Sequence, residues 1–129
     1  RCLSRGLGDV YKRQDNINDD KLNFISSKWP GPNTLLIKFN NKLPSHLKNE
    51  TGKIAIRVSD YYHLNALGKG YKNFMISTSA NISGKKAIAN PIDILKTFDD
   101  PTIAYYDAPL GGNLKPSNII DLETRKIIR

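Results

Sequence analysis

Apolar residues in this chain come in short blocks whose spacing changes from one block to the next. From Asn18 to Lys28, Leu22, Phe24 and Ile25 stand among polar residues, with Asp19 and Asp20 early and Lys28 late. That charge order suits a short amphipathic helix ending before Trp29-Pro30. Pro30-Gly31-Pro32 predicts a rigid turn, with Trp29 packed as a lid on the core, and hands over to a strand from Thr34 to Phe39. Lys42 to Asn49 predicts a loop or one helical turn, and Glu50-Thr51-Gly52 a turn. Ile54, Ile56 and Val58 alternate with Ala55 and Arg57, the period of a strand with one apolar face.

A helix is expected from Tyr61 to Leu67, stopping at Gly68 or Gly70, and then a short strand at Phe74 to Ser77. Thr78 to Asn90 reads as loop, and Pro91 suits the first turn of a helix reaching Phe98. Thr102 to Tyr106 predicts a further strand and Gly111-Gly112-Asn113 a flexible turn. Asn118 to Asp121 and Lys126 to Ile128, joined by Leu122 to Arg125, predict a closing hairpin. Strands interleaved with helices imply an α/β domain with a mixed sheet, and no internal repeat is visible.

Arg1 to Gln14 (RCLSRGLGDVYKRQ) differ from the rest, being rich in Arg where the remainder is rich in Lys and lacking either periodicity. The stretch resembles translated adapter sequence found at the ends of environmental gene fragments. It is therefore expected to lie outside the fold, with the domain at 15–129; the alternative is a genuine amino-terminal arm.

Composition narrows the function classes. The 129 residues, 39% hydrophobic and 25% charged, suit one ordinary globular domain. No apolar run approaches the roughly 20 residues of a membrane span, so a cytoplasmic protein without membrane contact is expected. Cys2 has no partner for a disulfide, and His46 and His63 lack neighbours for a metal-ligand pattern, so no protein metal site is expected. The net charge of +8 invites an RNA reading. Residues 1–14 carry +3 of it, however, and the lysines elsewhere are dispersed without a block of like charge. A solvated basic surface and a patch meeting nucleotide or RNA both remain open.

Two features could carry chemistry. Ser77-Thr78-Ser79-Ala80-Asn81-Ile82-Ser83-Gly84 places four hydroxyls, a carboxamide and a glycine directly after an apolar strand. Ligands of α/β folds gather at such strand ends, where small side chains let backbone N–H groups approach a phosphate or carboxylate. A Ser/Asn-rich surface turn is the plain alternative. Arg57, one of two arginines between residue 15 and Arg129, ends an apolar strand. Its planar fork suits bidentate carboxylate or phosphate binding, a solvated arginine being the alternative.

Taken in order, Trp29 to Thr34 (W-P-G-P-x-T), Ile54 to Val58 (ending V-R-V in relatives, I-R-V here), Ser77 to Gly84 (S-T-S-A-N-x-S-G), Ser117 to Asp121 and Arg129 resemble the YrdC/TsaC family. The resemblance runs from about residue 18 to 129. It implies an open twisted mixed sheet with flanking helices and a concave binding groove. It also implies a nucleotidyltransferase, threonylcarbamoyl-AMP synthase, which forms threonylcarbamoyl-adenylate and pyrophosphate from L-threonine, bicarbonate or CO2, and ATP for tRNA modification. Carried over by position, Arg57, Ser77 and Ser117 bind threonine, while Ser79, Asn81, Ser83, Arg129, Lys53 and Ala87 meet nucleotide. Mg2+ would travel with ATP. The implied partners are threonylcarbamoyl-transfer proteins and tRNA or double-stranded RNA.

Departures accompany the likeness. The family's P-T-E-type turn and K-x-R motif have no counterpart here, which implies an amino-terminally truncated chain. Tyr61-Tyr62 replaces a frequent His-Pro, and Lys85-Lys86 a segment that often contains proline. An RNA-binding module and an inactive fragment of the synthase are the alternative readings.

Overall fold

The computed structural model describes residues 2–4, 17–40, 43–71, 74–106, 108–109, 111 and 115–129. In chain order the elements are β1 (Cys2–Ser4), α1 (Asp19–Lys28), β2 (Asn33–Lys38), a 3-10 turn (Ser45–Leu47), β3 (Lys53–Arg57), α2 (Tyr62–Tyr71), β4 (Met75–Ser77), α3 (Pro91–Phe98) and β5 (Asn118–Asp121). The strands form one open sheet in the order β4-β1-β3-β2-β5. Pairs β2/β3 and β1/β4 run antiparallel, and β1/β3 and β2/β5 parallel, so the sheet is mixed. The chain is thus α/β, with helices flanking an open mixed sheet. Two compact units divide it, residues 1–77 with 115–129 and residues 78–114.

Alternation along β2 and β3 builds the core. Leu35, Ile37, Ile54, Ile56 and Ile120 are buried together with Ile25 of α1, Trp29, Leu43, Val58 and Leu122. Helix α1 starts where the charge order suggests: the Asn18 side chain accepts from Lys21 N–H, and Asp19 and Asp20 complement the helix N-terminus. Trp29 closes the core as expected, 3% exposed, with its indole Nε1–H donating to Asn33 O at 2.8 Å. The Trp29–Pro30 peptide is cis. Gly31 N–H donates to Val58 O at 2.8 Å, tying the turn to the end of β3.

The closing hairpin forms as expected. Ile120 bridges Ile127, Asp121 N–H donates to Lys126 O, and Arg125 turns the chain at φ 58°. Residues 112 and 113 of the expected Gly111–Asn113 turn lie outside the described residues. Cys2–Ser4 pair between β3 and β4 although the composition of residues 1–14 sets them apart; residues 5–16 lie outside the described residues.

Two sequence expectations are corrected. Helix α2 runs through Gly68 and Gly70 to Tyr71. Neither glycine has positive φ, so each weakens the helix by about 1 kcal/mol without the left-handed turn that would end it. Thr102 to Tyr106 form no strand. The Thr102 N–H and hydroxyl both donate to Asp100 Oδ1, at 2.8 and 2.7 Å, so the segment opens as a turn. Tyr105 and Tyr106 then lie exposed, and β-propensity without a strand to pair with makes no sheet. No helix among the described residues is long and apolar enough to cross a membrane.

Candidate functional site

Opposite the apolar core, the sheet presents a polar row across three strands. Arg57 of β3 is the register partner of Thr34 of β2, and Thr34 in turn is the partner of Ile119 of β5. Two residues before Ile119, Ser117 brings its Oγ to 2.8 Å from Thr34 Oγ1. Register partners project to the same face of a sheet. Arg57, Thr34 and the Ser117 hydroxyl therefore line one side, while Leu35 and Ile56 bury themselves on the other.

Arg57 contributes the most telling atom. Its Nε is buried and has no hydrogen-bond partner among the described residues. An orphaned buried donor costs about 1–3 kcal/mol, and more when it belongs to a charged group. A carboxylate or phosphate oxygen would satisfy it and neutralise the guanidinium at once.

Arg129 stands beside the same row. Its Nη2 makes a long contact with Ser117 O at 3.5 Å, and its carbonyl accepts from Ile119 N–H at 2.9 Å. Lys53 lies on the same face as Arg57, four residues earlier, but its ammonium is engaged by the carboxylate of Asp121. Asp121 is 6% exposed and also accepts from the backbone N–H groups of Glu123 and Thr124. Burial opposes its charge most strongly. The Lys53 hydrogen bond, the two backbone N–H groups and the Lys53 charge outweigh that burial and hold the carboxyl below its ordinary pKa.

Ser77 is set apart from Arg57. Strand β1 lies between β3 and β4, with Ser4 paired to Arg57 on one side and to Met75 on the other. Ser77 pairs with Cys2, two register steps away. Ordinary strand spacing then separates the Arg57 and Ser77 backbones by roughly 12 Å. Ser117 stands at the matching offset on the other side of Arg57, two strands across and two residues along.

The Ser/Asn-rich loop belongs to the second unit, residues 78–114. Asn81 organises it: the carboxamide Nδ2 donates to Ile82 O at 2.9 Å and Lys85 O at 3.0 Å, and the Asn81 N–H donates to Ser79 O. Gly84 turns the chain at φ 78°, and Ile88 N–H closes the loop on Ala80 O at 2.8 Å. Ser79, Ser83 and Ala87 are exposed, whereas Asn81 is half-buried. Of the carboxamide's groups, only Oδ1 is left to face a ligand.

Sequence reading took Thr34 as the first residue of a strand and gave it no part in the site. Its signal was a polar residue opening an otherwise apolar strand, N-T-L-L-I. The basic residues that could have marked an RNA surface divide between the units, Lys28 and Lys115 in the first and Lys85 and Lys86 in the second. Lys28 spends its charge partly over the Phe24 ring, 5.5 Å from its centre.

The Sua5/YciO/YrdC family model, described as "Telomere recombination", matches residues 2–129. A threonylcarbamoyl-AMP synthase of Stutzerimonas stutzeri (strain A1501) is 31% identical over 136 residues, covering all of this chain and 73% of that protein. Among solved structures, Escherichia coli YciO superposes with a TM-score of 0.76 at 22% identity, over 99% of this chain and 64% of YciO. The MTH1692 protein of Methanobacterium thermoautotrophicum gives 0.71 at 25% identity, over 94% of this chain and 57% of that one. Pyrococcus abyssi Sua5, solved in complex with L-threonine, gives 0.68 at 18% identity, over 95% of this chain and 36% of Sua5. The chain therefore spans less than two thirds of each of these solved relatives.

Proposed function

The chain belongs to the Sua5/YciO/YrdC family, and from that premise we propose that it forms the threonine-binding sheet of a threonylcarbamoyl-AMP synthase. The observation that carries this reading is the buried, unpartnered Nε of Arg57 beside the Thr34–Ser117 hydroxyl pair. An amino acid carboxylate would supply the missing acceptor, and the Ser117 hydroxyl, paired with Thr34 on the same face, would add a second contact. The L-threonine bound to Pyrococcus abyssi Sua5, a protein of the same fold, supports the choice of amino acid.

The chemistry asks the protein for position and charge more than for a nucleophile. The threonine amine adds CO2 and loses a proton, or condenses with bicarbonate and loses water, giving a carbamate. A carbamate oxygen then attacks the α-phosphorus of ATP, the bond to the β-phosphate oxygen breaks, and pyrophosphate leaves. Anchoring the carboxylate on Arg57 fixes the amine in space, and such placement can supply several kcal/mol of the barrier reduction. Arg129 would meet phosphate or adenylate, and Ser79, Ser83 and Ala87 would meet the nucleotide from the loop that Asn81 holds in shape. The family resemblance gives Lys53 a nucleotide contact through its backbone; its ammonium is committed to Asp121, and its N–H and carbonyl are bonded to Asn49. Asp121 is likewise occupied, so Mg2+ would be held by the triphosphate oxygens of ATP itself. The product would pass in the cytoplasm to proteins that transfer the threonylcarbamoyl group to tRNA.

Threonine- and bicarbonate-dependent release of pyrophosphate from ATP tests the proposal. Arg57→Ala should reduce it to background, and unchanged turnover in that variant would refute the assignment.

A further inference from the structure

Arg129 reaches Ser117 at the end of a segment that has little packing to hold it. Leu122 sinks into the core and fixes where β5 stops, but every residue from Glu123 to Arg129 is exposed. Ile127 and Ile128 show 68% and 60% of their surface, so burial contributes little to the return of the chain. Among the described residues its pairing with β5 is one isolated bridge, Ile120 to Ile127, and a few backbone bonds. Ile119 N–H donates to Arg129 O at 2.9 Å, and Ile128 N–H to Ile119 O at 2.7 Å. A two-stranded hairpin of that kind is marginal in water. Ion pairs tie the turn to α1, Lys21 to Glu123 and Arg125 to Asp20, but they lie largely at the surface, where such pairs contribute little.

Asp121 is the buried carboxylate at the root of this turn, and its two oxygens have separate partners. Oδ2 takes the Lys53 ammonium from β3. Oδ1 accepts the N–H groups of Glu123 at 3.0 Å and Thr124 at 3.1 Å, while the Asp121 carbonyl accepts Arg125 N–H at 2.7 Å. The Oδ1 bonds thus fix the direction in which the chain leaves β5 and comes back. We propose that Asp121 is a positioning residue for Arg129: its Oδ1 sets the turn that returns the chain along β5 and so holds the Arg129 guanidinium beside Ser117 for the phosphate of a nucleotide. The inference rests on the reading above in which Arg129 meets ATP and deepens it, since it names what keeps that cation in place on an exposed segment. A backbone fixed in advance leaves only side-chain freedom to be lost on binding. The Lys53 bond on Oδ2 joins β3 to β5 and bears on stability, so the two oxygens can be tested apart.

The test is calorimetric titration of ATP and of L-threonine into the chain, run beside Asp121→Ala, Asp121→Asn, Arg129→Ala and the Asp121→Ala/Arg129→Ala double variant. Thermal unfolding and amide hydrogen exchange are recorded for each, and Asp121→Leu provides a second acceptor deletion should alanine fail to fold. Arg129→Ala should weaken ATP by about tenfold, as loss of one charge-assisted hydrogen bond would. Asp121→Ala should weaken ATP by a similar factor, spare L-threonine, and quicken exchange at Ile119 and Ile128, whose N–H groups close the hairpin. Asp121→Asn keeps an oxygen for the Glu123 and Thr124 N–H groups and loses the charge that Lys53 pairs with. It should therefore recover ATP affinity while still melting below the wild type, a combination that a merely structural role would not produce. Because Asp121 acts through Arg129, the double variant should bind ATP no more weakly than Arg129→Ala alone. Wild-type ATP affinity in Asp121→Ala, an equal loss in Asp121→Asn, a matching loss of L-threonine, or losses that add in the double variant would each overturn the inference and leave Arg129 as the nucleotide's cation. Wild-type ATP affinity in Arg129→Ala, or a wild-type chain that binds no ATP, overturns the nucleotide reading and this inference with it.

Discussion

Lys53 and Asp121 close an ion pair over β2, joining β3 to β5 although the two strands are not neighbours in the sheet. Asp121 also receives the N–H groups of Glu123 and Thr124, so one carboxylate both cross-braces the sheet and starts the turn of the closing hairpin. Asp121→Asn should cost about 2–3 kcal/mol, because it leaves Lys53 half-buried without its charge partner. The pH dependence follows from the direction of the shift. The folded carboxyl is held below its ordinary value of 3.8, so its contribution is fully present above that pH and is lost as pH falls through the lower folded value. Denaturant melts taken from pH 6 to pH 2 should show the wild type losing stability below about pH 4, and Asp121→Asn losing less of it.

Helix α3 ends on Asp99, which is exposed and left-handed at φ 39°, with its N–H donating to Leu95 O. Only glycine takes that conformation without penalty. Asp99→Gly should therefore stabilise the unit of residues 78–114 by about 0.5–1 kcal/mol, read as a higher melting midpoint in circular dichroism. A lower midpoint would show that the Asp99 side chain contributes more than its backbone strain costs.

Trp29 is the single tryptophan, so its fluorescence reports the core directly. Its ring is buried and its Nε1–H reaches Asn33 O, while Asn33 Nδ2 returns a bond to Lys28 O at 3.2 Å. Trp29→Phe removes ring volume and leaves the Asn33 carbonyl short of a donor, a loss of about 2 kcal/mol. Asn33→Ala spares the indole bond, which goes to a backbone oxygen, and should cost less. Chemical denaturation followed by circular dichroism would rank the two, and equal losses would count against the indole bond.

Local patterning carried most of the elements. The alternation of Ile54, Ile56 and Val58 named the buried face of β3, and the charges of Asn18 to Lys28 named α1, because both are statements about neighbours in sequence. The corrected segments are those where local signals lacked a tertiary answer: Tyr105 and Tyr106 have strand propensity without a strand to pair with, and Gly68 and Gly70 sit where no positive φ is required. Arg57 was legible as an arginine ending an apolar strand, but its orphaned Nε was not, since burial of one atom depends on everything packed around it. The Thr34–Ser117 contact spans 83 positions and arises from parallel pairing of β2 with β5, a register that no local pattern announces. A different pairing, β1 between β3 and β4, sets two strand spacings between Arg57 and Ser77.

Asn81 offers the sharpest test of the loop. Its Nδ2 holds two carbonyls, Ile82 O and Lys85 O, so its donors shape the chain and its Oδ1 faces away from those bonds. Asn81→Ala removes the clamp. Asn81→Asp does worse, because it sets a carboxylate oxygen against two carbonyl oxygens and turns attraction into repulsion. The amides to watch are Lys85, whose N–H donates to Ile82 O, and Ile88, whose N–H donates to Ala80 O. Hydrogen exchange at both should quicken by about tenfold in Asn81→Ala, the loss expected from one or two neutral hydrogen bonds, and further in Asn81→Asp. Exchange at Ile56, deep in the sheet and in the other unit, should not change. If Asn81→Asp exchanges no faster than wild type while ATP binding is lost, the residue meets the nucleotide directly, and the clamp is incidental to its role.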